Sequence, residues 1–234
     1  MKIVKEFSRF AEEYRKHNII QEEVAKRLTL MLHHNKYSKV LDLGCGSGAV
    51  YTNLLKCGIE VESFVALDFS KEMLALHPSG CNIEKKCLDF NKKTSFASYK
   101  EREFDVLLSA SALQWSEDLY QVLEQISTLA EEYYFAFFTS NTFKTLHQTA
   151  NINSPIYAKE HIIEALDRRY NYKTELVEYR LDFTSVHEML RYIKRSGVSG
   201  GRGQLGYKDI KKLMQTYPLN YLEFEVLFVE AIPR

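Results

Sequence analysis

Val40-Leu41-Asp42-Leu43-Gly44-Cys45-Gly46-Ser47-Gly48 reads as the end of a buried strand that runs into a glycine turn. Val40 to Leu43 are apolar apart from Asp42. Gly44, Gly46 and Gly48 then allow a tight bend and let the backbone approach a ligand with no Cβ in the way. A helix can begin at Ala49 with its N-terminus over the same spot. Strand, turn and helix in that order make a nucleotide-cofactor site.

The sequence beyond this stretch continues the alternation. Val50 to Cys57 fits a crossover helix that Gly58 is placed to end. Phe64-Val65-Ala66-Leu67-Asp68 reads as a second buried strand closing on a carboxylate. Asp68 follows Gly48 by 20 residues, the place where such folds hold ribose hydroxyls. Phe69 comes next, and Ser70 is an N-cap candidate with Met73 on the inner side of the helix it starts. Ile83 to Phe90 gives a third, weaker strand ending at Asp89 and Phe90. Phe104 to Ser109 gives a fourth, with Ala110, Gln114 and Trp115 at its tip. Leu119 to Leu129 is amphipathic, and Tyr133 to Phe138 is a fifth strand, nearly all aromatic. Such alternation over residues 38–140 implies a mostly parallel sheet with ligands at its carboxyl edge.

Both ends add to this core. Ile20, Val24, Leu28 and Leu32 are four apart and mark one helix face near the N-terminus. That segment is either a lid over the cofactor or a packing helix only. After residue 140 come a helix over 159–169, a long strand over 172–183, and a helix over 184–196 with Thr184 as N-cap. The stretch 197–206 holds five glycines, a loop signature. A short basic helix over 207–217 and a last strand over 221–232 follow. The expectation is one domain: residues 1–37 as an N-terminal helical lid, 38–140 as the cofactor core, and 141–234 as substrate-side additions.

Composition excludes several classes. The chain has 234 residues with 45% hydrophobic, enough for a substantial core. Lys+Arg and Asp+Glu both number 31, so bulk charge argues against a nucleic-acid partner. No run of about 18 apolar residues exists for a membrane span. Cys45, Cys57, Cys81 and Cys87 form no paired metal spacing, and no His/Asp/Glu metal cluster is evident, so no metal is expected. Free thiols and the absence of a signal-peptide pattern point to the cytoplasm.

Two cofactor types fit the turn. The dinucleotide pattern G-x-G-x-x-G/A is met loosely by Gly44, Gly46 and Ala49. The pattern D/E-x-G-x-G-x-G is met without a gap by Asp42, Gly44, Gly46 and Gly48. Acidic Asp42 suits a ligand with a cationic end better than one with a pyrophosphate. Asp89 beside Phe90 fits an adenine: an acceptor for the exocyclic amine and a ring to pack on. Alone, Asp89 reads equally as a turn residue. Together these residues resemble the class I S-adenosylmethionine-dependent methyltransferases over residues 38–140. That resemblance implies a Rossmann-like, mostly parallel seven-stranded sheet, an antiparallel C-terminal strand, and helices on both faces. It implies S-adenosylmethionine as cofactor, held by Tyr14, Gln21, Asp42, Gly44, Cys45, Gly46, Gly48, Asp68, Phe69, Met73, Asp89, Phe90, Ser109, Ala110 and Gln114.

The acceptor is constrained by what the tip of strand four lacks. Ser109-Ala110-Ser111-Ala112-Leu113-Gln114-Trp115 contains no proline, unlike the amino-nucleobase tetrapeptide [N/D/S]-P-P-[Y/F]. No general base is obvious either. A carboxylate acceptor needs none, because with a pKa near 4 it is already ionised at neutral pH. Leu113-Gln114-Trp115, Thr145-Leu146-His147-Gln148, the 189–197 stretch and the N-terminal pattern Phe7, Ala11, Tyr14 and Gln21 resemble the malonyl-acyl-carrier-protein O-methyltransferases of biotin synthesis. Departures are a shortened 130–134 region and the loop at 198–206. The resemblance implies methylation of the free carboxyl of a malonyl thioester, with acyl carrier protein as partner. Residues 191–212 carry seven cationic side chains against Asp209 alone, a net of +6. An acidic carrier would be steered there. Within it Arg191 is the candidate grip on the malonyl carboxylate, with Lys194 on the same helix face and Arg195 beside it. All three read otherwise as solvated charges, and Trp115 is either a pocket wall or core. Two other readings stay open: a carboxyl methyltransferase of a free small acid, and a non-catalytic cofactor binder.

Overall fold

A computed structural model describes residues 18–195 and 207–234, with side chains left out at 194, 195 and 207–209. Seven strands form one sheet. In chain order the elements are α1 (Ile19–Leu30), β1 (Lys36–Leu43), α2 (Ala49–Lys56), β2 (Glu60–Asp68), α3 (Lys71–Leu76), β3 (Ile83–Cys87) and β4 (Phe104–Ala110). After a 3-10 turn at Leu113–Trp115 come α4 (Leu119–Ile126), β5 (Ala130–Phe138), α5 (Lys144–Ala150), α6 (Lys159–Leu166), β6 (Tyr170–Asp182), α7 (Val186–Arg195), α8 (Tyr207–Thr216) and β7 (Tyr221–Pro233).

The strand order is β3-β2-β1-β4-β5-β7-β6. β1 pairs in parallel with β2 on one side and β4 on the other, so Asp42 sits between Ala66 and Leu108. The chain leaves β1 toward β2 and later returns to its opposite side. That reversal opens a crevice beyond the carboxyl ends of β1 and β4. β7 alone runs antiparallel, wedged between β5 and β6. Its residues alternate between two cores. Phe224, Val226 and Phe228 face one, and Leu227, Val229 and Ala231 the other. Burying a side chain the size of Phe224 stabilises by about 1.5–3 kcal/mol.

Buried tyrosines pay their polar debt to backbone. Tyr133 donates to the Ile126 carbonyl at 2.8 Å and Tyr170 to that of Leu123 at 2.9 Å. Both groups thereby bolt α4 to the sheet. β6 is the outer edge, and along it Lys173, Glu175, Glu178, Arg180 and Asp182 are exposed or half-exposed, charges that discourage further strand pairing.

Several boundaries move from expectation. α1 is core: Val24 and Leu28 are fully buried in the cluster that also holds Val40 and Leu54. β3 stops at Cys87 rather than Phe90. Its last ladder bond gives way to Leu88 N–H donating to the Asp68 carbonyl at 2.8 Å. Ser185, not Thr184, accepts the Glu188 N–H at 3.2 Å and so caps α7. Thr184 instead donates to the Glu188 carboxylate.

Candidate active site

The glycine turn is built by the chain's own packing. Gly44 and Cys45 both donate to the Leu67 carbonyl, at 2.8 and 2.9 Å, folding the turn over the end of β2. Gly44 has φ +75°, and a Cβ there would lie 2.2 Å from the Ala112 Cβ. Gly48 has φ +90°, and a Cβ would meet Pro78 at 2.5 Å. Glycine is therefore required at both by neighbours within the fold.

Beyond the turn lies a two-lobed cleft. The first lobe, about 480 Å³ and open to solvent, is walled by Gly44, Gly46, Asp68, Phe69, Met73 and Phe90 on one side. Ala110, Ser111, Ala112 and Trp115 at the tip of β4 close the other. The second, about 380 Å³, lies between the turn and α1, where Asn18, Gln21 and Ala25 face Cys45, Ser47 and Val50. Gly44, Gly46, Ala110 and Ser111 border both.

Two carboxylates stand near the turn: Asp68 in the wall of the first lobe and Asp42 buried behind it, lining neither lobe. Asp42 is fully buried, and neither of its oxygens has a hydrogen-bond partner among the described residues. Burial drives its carboxyl well above the usual range, and the nearby Asp68 charge adds to that. Asp68 accepts the Gly46 N–H at 2.9 Å and the Ser70 N–H at 2.8 Å. Burial pushes it up to about 6 against the pull of those hydrogen bonds. Acidic groups without a counter-charge suit a ligand that brings a positive one. The Cys45 thiol is raised by burial and by both carboxylates, so it stays protonated and unreactive.

Other expected residues fall in and out of the cleft. Phe69, Met73, Phe90, Ala110 and Trp115 line the first lobe; Gln21 lines the second with its carbonyl oxygen unpartnered. Ser70 caps α3 by accepting the Met73 N–H at 3.2 Å, which fixes Met73 in the wall. Asp42, Gly48, Asp89, Ser109 and Gln114 line neither lobe. Asp89 Oδ1 takes the Asn91 N–H at 3.0 Å in a local turn. Ser109 donates to the Leu43 carbonyl at 2.7 Å and ties β4 to β1. Gln114 donates to the Ser111 carbonyl at 2.8 Å and braces the tip. Ser111 and Asn18 were not foreseen as wall residues. Asn18, just before the periodic Ile20–Val24 face, carried a helix-start signal; Ser111 carried none. No cluster of three His, Cys, Asp or Glu fit for a metal exists among the described residues.

A family model described as "Methyltransferase domain" matches residues 34–192, which spans the sheet through β6, both carboxylates and the whole first lobe. The chain belongs to this methyltransferase family. Several similar curated proteins share one name. The malonyl-[acyl-carrier protein] O-methyltransferase of Bacillus cereus is 26% identical, with 83% of this chain and 79% of that protein covered. Its namesake from Hamiltonella defensa is 24% identical over 97% and 90% of the two chains. Among solved structures, the YcgJ protein of Bacillus subtilis superposes with a TM-score of 0.64 at 10% identity, covering 91% and 98%. That likeness shows the fold alone. Membership of the family implies use of S-adenosylmethionine, and the unpaired Asp42 and the glycine-floored cleft fit a sulfonium cofactor.

Within this methyltransferase framework the described side chains of α7 line neither lobe of the cleft. α7 buries Met189, Tyr192 and Ile193, at the i, i+3, i+4 spacing of one helix face. Arg191 therefore projects outward, with its Nη2 3.3 Å from His187 Nδ1, and it lines neither lobe. Tyr14 and Arg202, and the side chains of Lys194, Arg195 and Lys208, lie outside the described residues. α8 presents Lys211 and Lys212 to solvent, with Ile210 and Met214 also exposed. No helix among the described residues is long and apolar enough to cross a membrane, and the four cysteines are unpaired.

Proposed function

We propose that this chain is a carboxyl O-methyltransferase that esterifies the free carboxylate of a malonyl thioester on acyl carrier protein, an early step of biotin (pimeloyl) synthesis in the cytoplasm. One observation carries the reading. Among the described residues lining the cleft, Asp68 is the only ionisable side chain besides the buried thiol of Cys45. Asp68 is tied to the turn by its hydrogen bonds, so among the described residues the cleft offers no free general base. An acceptor that arrives already ionised suits such a site, and a carboxylate with a pKa near 4 does. The names of the relatives point to the same acceptor.

S-adenosylmethionine would supply a methyl carbon made electrophilic by a sulfonium; an acceptor oxygen takes it, the electron pair leaves with sulfur, and no proton moves. The residues here bind and orient. Asp42 and Asp68 would favour a cationic cofactor, Asp68 would take ribose hydroxyls, and Phe69 and Phe90 would flank the base. Asp89, Gly48, Ser109 and Gln114 would act from behind the wall. Trp115 would screen the reacting pair from water. Exposed Arg191, Lys211 and Lys212 would meet an acidic carrier, with Lys194 and Arg195 following in sequence. Arg191, exposed on α7, would serve either as the grip on the malonyl carboxylate or as part of that carrier-facing surface.

The test is the mass of malonyl-carrier protein after incubation with chain and cofactor. A gain of one methyl that an esterase removes supports the proposal. Methylation of free malonate in preference to the carrier-bound form would move the substrate to a free acid. Cofactor binding with no transfer to any malonyl thioester would make the chain a binder rather than an enzyme.

A further inference from the structure

Four observations converge on Ser111. Its φ of 61° lies in the left-handed region, which residues with a Cβ adopt at a cost. Its N–H is held by the Ala136 carbonyl at 2.9 Å, so the next strand over maintains the conformation. Its hydroxyl is shielded from solvent and has no hydrogen-bond partner among the described residues, though a hydroxyl can donate once and accept twice. Finally, Ser111 borders both lobes of the cleft. Strain and an orphaned buried hydroxyl at one residue are retained where the group has a ligand to meet.

The position says which part of a ligand that is. The first lobe has the ribose-type carboxylate Asp68 and the aromatic walls Phe69 and Phe90. The second offers the amides of Asn18 and Gln21, groups suited to an amino-acid end. A molecule filling both must thread the residues they share. In S-adenosylmethionine the atom joining those two ends is the sulfonium.

We propose that the Ser111 hydroxyl turns an oxygen lone pair toward this sulfonium and makes the cleft prefer the charged methyl donor to the neutral thioether product. The inference rests on the cofactor reading above and adds to it a residue that tells donor from product. Once the methyl has left, the sulfur is neutral and the contact loses most of its value, which favours product release.

Calorimetric titration of the full chain with S-adenosylmethionine and, separately, S-adenosylhomocysteine tests this without any acceptor. Ser111→Ala should weaken the donor about tenfold and leave the product within about twofold. Its urea midpoint should not fall, because the lost hydroxyl had no partner among the described residues. Ser111→Gly should show the same selective loss with a raised midpoint, since glycine relieves the backbone. Equal weakening of both ligands overturns the inference, as a packing role would produce that. Unchanged binding in both variants, with wild type binding the donor, overturns it and leaves the cofactor reading standing. Failure of wild type to bind either compound overturns both.

Discussion

Asp68 makes stability depend on pH in a way that one substitution isolates. Its carboxyl titrates at about 6 in the folded chain against 3.8 ordinarily. Below pH 3.8 the proton is bound in both states, and the stability associated with this group is fully present. As pH rises from 3.8 the unfolded chain releases the proton while the folded chain keeps it, so stability falls until the folded group also ionises near pH 6. A shift of about 2 units, at about 1.4 kcal/mol each, removes ~3 kcal/mol in total. Roughly 2 kcal/mol of that falls between pH 4.5 and 7. Glu103, Glu188 and Glu230 are shifted downward and act in the opposite sense, so wild type alone would blur the effect. Asp68→Asn keeps the shape and cannot titrate. Urea unfolding of both proteins across this range should show wild type losing ~2 kcal/mol relative to the variant as pH rises. Removing the Asp68 charge also eases ionisation of Asp42, so a residual slope above pH 6 has the same sign. A difference that is flat, or that grows in favour of wild type, would refute the argument. Cofactor affinity should rise across the same window in wild type only, because hydroxyl donors favour the ionised carboxylate.

Three further outcomes follow from the geometry. Asp42→Asn should weaken S-adenosylmethionine binding about tenfold by calorimetry without lowering the unfolding midpoint, since the carboxylate has no partner among the described residues to lose. Gly44→Ala should cost at least about 2 kcal/mol in urea unfolding, from the left-handed φ and the collision with Ala112. Adding Ala112→Gly should recover the part due to collision. The double change Lys211→Glu with Lys212→Glu should lower kcat/KM for malonyl-carrier protein by about tenfold or more and leave malonyl-CoA unaffected; equal losses on both would remove α8 from carrier docking.

The parts of the fold legible in the sequence are those where a local pattern has one physical solution. Val40–Leu43 followed by three spaced glycines could only be strand and turn, and Ser70 with Met73 could be placed because a cap works over three residues. What was hidden depends on distant partners. Gly48 looks like a ligand contact until Pro78 is seen beside it. That Arg191 is exposed is settled only by the burial of Met189, Tyr192 and Ile193 on the other side of α7. The helix α5 is preceded by Phe143 as its N-cap with φ +60° and no side-chain cap bond, a start that no side-chain signal announces. Ser111 belongs with these: its conformation is set by Ala136 on the neighbouring strand, and nothing in the word serine declares it.

The position of β7 has a consequence for how the molecule is made. It fills the slot between β5 and β6, yet both of those strands leave the ribosome before residues 221–233 do. Until then each has a bare ladder on the side β7 will occupy, and the aromatic faces that Phe224 and Phe228 will cover stand open. A nascent chain halted short of residue 221 should be a strong client for chaperones and prone to clump, whereas the first five strands can already pair among themselves.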